Sequence, residues 1–439
     1  MAEIFQTLTA ELASVEVNFR IGRISEVRGG VLHVTGLQTR ARLGDRVVIF
    51  AQGCAMGGEV LRLAPQYLVV LPDSGGEGLA IGDKVELRGD ATIAPDDSWI
   101  GRIIDAFGQP LDGRPLFCGQ TRRSVRSAAP PATQRRRIGA RLSTGVAVFD
   151  TLLPLVRGQR IGLFAGSGVG KSSLLARFAR GVDADIIVIA LVGERGRELR
   201  EFTERTLGEA GMARSIIVAA TSDQSPLSRR RCAWTAMAVA EHFRDQGLQV
   251  LLLVDSITRF AEAHREVALA SGEDAGMGGF PPSTSAMIMG LAERAGPGPE
   301  GTGDITAVFS VLVAGSDMDG TVADILRGVL DGHVVMDRKI AERGRYPAID
   351  LLRSVSRSLP EAASADENTA IQDARRILGA YDRAELMIQA GLYAKGSDPV
   401  VDRAIGLWPD LDGFLAESAP QTGIAGSFAR LDAILHKSR

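Results

Sequence analysis

Arg160-Ile161-Gly162-Leu163-Phe164-Ala165-Gly166-Ser167-Gly168-Val169-Gly170-Lys171-Ser172-Ser173-Leu174-Leu175 is the stretch on which the reading of this chain turns. Residues 161–164 form an apolar run of strand length. Gly166, Gly168 and Gly170 interrupt it, and Leu174, Leu175 and Phe178 then recur at helical spacing. Strand, glycine-rich turn, Lys-Ser and helix in that order is the setting of a phosphate-binding loop. In such a loop the backbone N–H groups of Gly166, Ser167, Gly168, Val169, Gly170, Lys171, Ser172 and Ser173 curl round phosphate oxygens. The helix behind them adds its positive end. Lys171 is expected to reach the β- and γ-phosphates and the Ser172 hydroxyl to bind Mg²⁺, so ATP and Mg²⁺ are the implied cofactors. One position departs from the usual pattern, with Ala165 standing where the first Gly is expected.

Two further apolar runs end in carboxylates suited to the same chemistry. Leu251-Leu252-Leu253-Val254 is closed by Asp255, and an acid at a strand tip beside a phosphate loop holds Mg²⁺. Ile189-Ala190-Leu191-Val192 runs out at Gly193 and presents Glu194, where hydrolysis needs a carboxylate to orient and polarise water. The bland alternative for Glu194 is a surface pair with Arg195 or Arg197.

Around these motifs, residues 146–350 alternate apolar runs with helical stretches, which predicts a parallel sheet covered on both faces. Residues 17–90 read as short strands separated by Gly-rich turns, the pattern of a small barrel. Residues 91–145 carry Pro95, Pro110, Pro115, Pro130 and Pro131 and a cluster of Arg122, Arg123, Arg126 and Arg135 to Arg137. This stretch reads as a connector whose arginines form a solvated face, or else a basic patch. From about Ser364 onward the spacing is helical. Residues 1–16 hold Ile4, Phe5, Leu8 and Leu12 on one helical face, either docked on the chain itself or reserved for a partner or a membrane surface. The expected organisation is therefore a segment at 1–16, a β-barrel at 17–90, a nucleotide domain with its connector at 91–360 and a helical domain at 361–439.

Composition sets outer bounds. In 439 residues, 50 basic and 53 acidic side chains leave a net charge of −3, which argues against a generally basic nucleic-acid binder. The longest apolar runs fall far short of the ~20 residues of a spanning helix. The first residues lack the basic and apolar regions of a signal peptide. Cys54, Cys118 and Cys232 lie far apart with no ligand spacing, which suits a reducing cytoplasm.

Taken in order, Gly166 to Ser172, Val192 to Glu198, Leu252 to Arg259, Tyr346-Pro347-Ala348-Ile349-Asp350 and Ser354-Val355-Ser356-Arg357 resemble the rotary ATPase catalytic family. Within it the chain is most similar to the type III export ATPases, specifically the flagellar ones, with Ala394-Lys395-Gly396-Ser397-Asp398-Pro399 as a further cue. The resemblance implies an α/β fold made of an N-terminal β-barrel, a central RecA-like P-loop domain and a C-terminal helical domain. It assigns Glu194 as the water-activating residue, Arg195 to the neighbourhood of the γ-phosphate, Tyr346 to adenine stacking and Arg357 to an arginine finger serving the neighbouring subunit. Since one chain holds all these parts, a homohexamer with a complete site at every interface is expected. The implied partners are a stator-like regulatory protein at the N-terminus, a stalk-like coiled-coil protein, export substrates with their chaperones, and the export gate. The implied location is cytoplasmic, peripheral to the inner membrane. Residues 317–330 depart from the family's usual run. The competing readings are an injectisome ATPase, an F-type β subunit, a non-catalytic ring subunit and a Rho-like RNA translocase.

Overall fold

Alternating burial closes the first strands into a barrel. The computed structural model describes residues 19–437 apart from 52, 314–317 and 319, so the amphipathic stretch with Ile4, Phe5, Leu8 and Leu12 lies outside the described residues. Strands β1 (Arg20–Arg28), β2 (Val31–Thr35), β3 (Arg46–Ala51), β4 (Cys54–Leu63), β5 (Leu68–Pro72) and β6 (Lys84–Gly89) form a closed barrel in the order β1-β2-β5-β4-β3-β6. Every neighbouring pair is antiparallel. Leu32, Val34, Val47, Ile49, Val70 and Val85 point inward, and closure removes the unpaired edges that an open sheet would expose.

The central sheet contains β7 (Ile103–Asp105), β8 (Arg160–Ala165), β9 (Ile186–Glu194), β10 (Ser215–Thr221), β11 (Val250–Asp255), β12 (Asp304–Leu312), β13 (Gly332–Met336) and β14 (Ile349–Ser356). Their order is β14-β13-β8-β12-β11-β9-β10-β7, parallel throughout except that β14 runs antiparallel to β13. Strand β9 explains the layering. Ile187, Ile189 and Leu191 enter one core, with Leu174 and Phe178 of helix α1 (Lys171–Gly181). Ile186, Val188, Ala190 and Val192 enter the other, with Trp234 and Met237 of α2 (Pro226–Asp245), Phe260 of α3 (Ile257–Ser271), Leu291 of α4 (Ser283–Arg294) and Leu326 of α5 (Thr321–Val329). A strand apolar from Ile186 to Val192 has a buried partner layer on each side, as parallel sheets require.

The connector differs from its sequence reading. Its β7 joins the sheet edge beside β10. Four of its arginines are neither a solvated face nor a basic patch. Arg123 pairs with Asp245 (2.6 Å), Arg126 with Glu59, Arg135 with Glu293 (3.3 Å) and Arg136 with Asp304 (2.6 Å), while Arg122 and Arg137 are exposed. The first four strap the connector to the barrel and to the central domain. Glu59 on β4 also meets Arg230 of α2 (2.7 Å), so a buried carboxylate between two guanidiniums fixes the barrel's seat.

At the C-terminal end α6 (Ala365–Gln389) opens on a capping box, with Ser364 and Glu367 satisfying each other's backbone N–H groups. Helices α7 (Pro399–Phe414, capped by Asp398) and α8 (Gly423–Leu435) pack on it, and Ile371, Leu407, Leu411, Phe414 and Leu431 merge with the core on the α1 side. Among the described residues no helix is long and apolar enough to cross a membrane.

Candidate active site

The phosphate loop leaves the C-terminal end of β8 and enters α1. Ala165 is fully buried and laddered between Leu312 and Met336, so this position is the last residue of a strand, where an alanine packs and a glycine is not required. Gly170 is different. It precedes α1 at φ 86°, a left-handed conformation that side chains disfavour. A methyl group there would sit 3.0 Å from Cδ1 of Tyr346. Half-exposed Tyr346 therefore stands directly against the phosphate loop, having arrived from the β13–β14 connection.

Strand order brings the next groups together. Strand β12 lies between β8 and β11, and Ser310 on β12 donates to Asp255 Oδ1 at 2.7 Å. Lys171 Nζ donates to the same oxygen, reaching from α1 across the intervening strand. Asp255, 4% exposed, is thus held by one ammonium and one hydroxyl. Backbone pairing places Leu191 opposite Asp255, and Glu194 follows three residues further along β9. Gly193, at φ 70°, sits where the β9–β10 register shifts, and this bulge turns Glu194 toward the same edge. Burial raises the Glu194 carboxyl to about 7, helped by the negative charge of Asp255 and opposed by Lys171. A carboxylate poised near neutrality can accept a proton from water.

The remaining candidates divide by position. Arg195 is exposed beside Glu194, with Nη1 3.0 Å from Glu198. Arg357 is at the opposite end of the sheet. Its N–H donates to the Asp331 carbonyl (3.0 Å) and its Nη2 to the Arg327 carbonyl (3.1 Å), and Asp331 in turn accepts from the backbone of Arg160, the first residue of β8. At about 3.3 Å of rise per residue, the two ends of β8 are roughly 17 Å apart. The chain's own fold does not bring Arg357 to its own Lys171.

Ser172, the second residue of α1, and Asp255 offer the hard oxygen ligands Mg²⁺ prefers. Among the described residues no group of three or more His, Cys, Asp or Glu side chains could hold a metal alone. This donor set fits magnesium that completes its shell with nucleotide phosphates and water.

Two residues near the site were missed in the sequence. Ser310 carries no motif; only strand order puts it beside Asp255. Arg259 is legible as part of the run from Asp255 to Arg259, and its stem lies against Gly193, where an added methyl would meet it at 3.3 Å.

Comparison with known proteins agrees with this geometry. Residues 145–356 match the family described as ATP synthase alpha/beta family, nucleotide-binding domain, and residues 363–431 match the T3SS EscN ATPase C-terminal domain. The chain is similar to the flagellum-specific ATP synthase of Caulobacter vibrioides, with 43% identity over 439 residues, covering 98% of this chain and 99% of that one. It is also 43% identical over 404 residues to the type 3 secretion system ATPase of Pseudomonas syringae pv. tomato, covering 90% and 89%. Among solved structures it is similar to the assembled ATPase EscN from the type III secretion system of enteropathogenic E. coli, at TM-score 0.86 and 36% identity over 93% of this chain and 100% of that one. The same ATPase in complex with its central stalk EscO gives TM-score 0.85 at 36% identity, covering 94% and 100%.

Proposed function

The chain belongs to the type III export ATPases of the ATP synthase alpha/beta family, and from that premise we propose how its residues divide the work between neighbouring subunits of a homohexameric ring. It is an ATP-hydrolysing enzyme of type III protein export, in the flagellar branch. The backbone from Gly166 to Ser173 cradles the phosphates. Lys171 exchanges Asp255 for the β- and γ-phosphates. Ser172 and Asp255 hold Mg²⁺, which when bound neutralises developing phosphate charge. Glu194 takes a proton from water as its oxygen bonds to the γ-phosphorus and ADP departs. Tyr346 stacks on adenine and Arg195 lies near the γ-phosphate.

The observation that carries the ring is the place of Arg357. With its own phosphate loop at the far end of β8, it acts in trans, stabilising charge on the phosphoryl group held by the neighbouring subunit. Mixing equal amounts of Lys171→Ala and Arg357→Ala chains tests this. Each is inactive alone, and about a quarter of the interfaces in mixed rings combine an intact loop with an intact finger. Activity approaching that fraction is expected. Recovery of none would rule out supply in trans.

The partners follow as proposals. They are a stalk-like coiled coil in the ring's centre, a stator-like regulatory protein on residues 1–16, exported proteins with their chaperones, and a membrane gate approached from the cytoplasm. Nucleic acid is not among them. The barrel aromatics are already engaged, Tyr67 stacked on His33, Phe50 beneath Lys84 and Phe19 beneath Arg88, which does not suit a base-stacking platform.

A further inference from the structure

The segment that delivers Tyr346 to the phosphate loop is braced by the residue before it. Tyr346 and Arg345 face opposite ways. The tyrosine is half exposed over Gly170, whereas Arg345 is 9% exposed and turned toward the helical end of the chain. Arg345 Nη1 donates to the carbonyl of Pro347 (3.2 Å) and Nη2 to the carbonyl of Ile349 (2.7 Å), so one guanidinium spans the backbone on the far side of Tyr346. Its Nε lies 2.9 Å from Asp412 Oδ1 as a charge contact that is not an aligned hydrogen bond. Asp412 belongs to α7, between Leu411 and Phe414, both fully buried, so the carboxylate stands on a rigid support. A second ion pair runs the same way, with Arg343 Nη2 donating to Glu385 of α6 at 2.9 Å. A cavity of about 290 Å³ beside the pair, lined by Arg345, Asp350, Tyr381, Trp408 and Asp412, leaves room for the segment to shift.

Burial lowers the affinity of the Arg345 guanidinium for its proton, and Asp412 opposes this. Without Asp412 the arginine would be a buried cation held by two carbonyls, with Asp350 as the nearby carboxylate that remains. A guanidinium so placed needs its carboxylate to stay in position.

We infer that Arg345, held by Asp412, is a positioning residue for the nucleotide base: it sets where Tyr346 stands against the phosphate loop and makes that setting depend on helix α7. The inference rests on the reading of Tyr346 as the adenine wall. Through this pair, movement of the helical end is felt as a change in ATP affinity, while Glu194 and Asp255 keep their places on the sheet and Lys171 its place at the start of α1.

The test separates the base wall from the phosphate site. Asp412→Asn keeps the shape and removes the charge. Arg345→Lys keeps the charge but cannot span both carbonyls. Each is expected to raise KM for ATP about tenfold, since Asp412→Asn takes the counter-charge from a buried guanidinium and Arg345→Lys breaks at least one carbonyl bond, with kcat within about twofold. Asp412→Glu should restore most of the affinity. Competitive inhibition by inorganic tripolyphosphate, which has no base, should be unchanged in both variants. Tyr346→Ala is the control for the underlying reading. If it raises KM while Asp412→Asn and Arg345→Lys do not, the positioning role is wrong and the adenine wall stands. If Tyr346→Ala leaves KM unchanged, both fall. Equal loss of tripolyphosphate binding would mean a general distortion of the phosphate loop and would overturn the proposal.

Discussion

At the C-terminal edge of the parallel strands, Lys171, Asp255, Glu194 and Tyr346 converge on the phosphate loop. At the N-terminal edge of the same strands, Arg357 lies with Asp331 and Arg160. The first edge is assembled by strand order within one chain, because each parallel strand delivers its last residue to the same side. The second edge carries Arg357 away from that loop, because β14 runs against β13 and so ends where the others begin. On the reading proposed above, one chain holds every part of a hydrolytic site and yet two halves of different sites. An enzyme built this way couples catalysis to assembly without any added regulatory element.

The sharpest way to break that contrast is at Arg357. Arg357→Ala is expected to lower kcat by ~10³–10⁵ with nucleotide binding intact, measured by steady-state hydrolysis and ATP titration. A loss below tenfold would make the N-terminal edge structural and remove the distinction between the two edges. At the C-terminal edge, Glu194→Gln should cost ~10²–10⁴ in kcat while leaving ATP affinity near that of the parent. A variant that also loses binding would show that Glu194 holds nucleotide and does not activate water.

A pH profile sharpens the same point. The Glu194 carboxyl is raised from its ordinary value to about 7, so its basic form is lost as pH falls through 7. Hydrolysis at low substrate, which reports the free enzyme, should be about tenfold slower at pH 6 than at pH 8, with no matching step in binding. The protonated form is favoured in the fold relative to the unfolded chain. The same shift therefore removes stability as pH rises from the ordinary carboxylate range to about 7. An inflection near 4.5 instead would place Glu194 outside the buried cluster. Among these substitutions the smallest effect is expected at Ser310. Ser310→Ala leaves Asp255 with Lys171 as its remaining partner of the two, and a hydrogen bond to a charged group at the weak end of its range is worth about 1.5 kcal/mol, roughly a tenfold fall in kcat/KM. No change would show that the hydroxyl only fills space.

The site was legible to unequal degrees. Gly166 to Ser173, Asp255 and Glu194 announce themselves because each sits at the end of an apolar run, and a strand's period and its terminal residue are local signals. Ala165 looked like a departure from the pattern only because the boundary between strand and loop is set by the ladder to Leu312 and Met336. The connector arginines are illegible for the opposite reason. Arg123, Arg126, Arg135 and Arg136 find partners 122, 67, 158 and 168 residues away, which no reading of neighbouring residues supplies.

By itself the sequence determined the layers of the fold and the chemistry of the nucleotide-binding edge, since burial periodicity, glycine placement and strand-end carboxylates act within a few residues. Only the tertiary structure decided which groups share a site. The crossing of β12 between β8 and β11 puts Ser310 on Asp255, the packing of α7 puts Asp412 on Arg345, and the reversal of β14 carries Arg357 away from its own phosphate loop. Those are contacts between distant segments, fixed by register and packing, and residue spacing along the chain does not encode them in any local form.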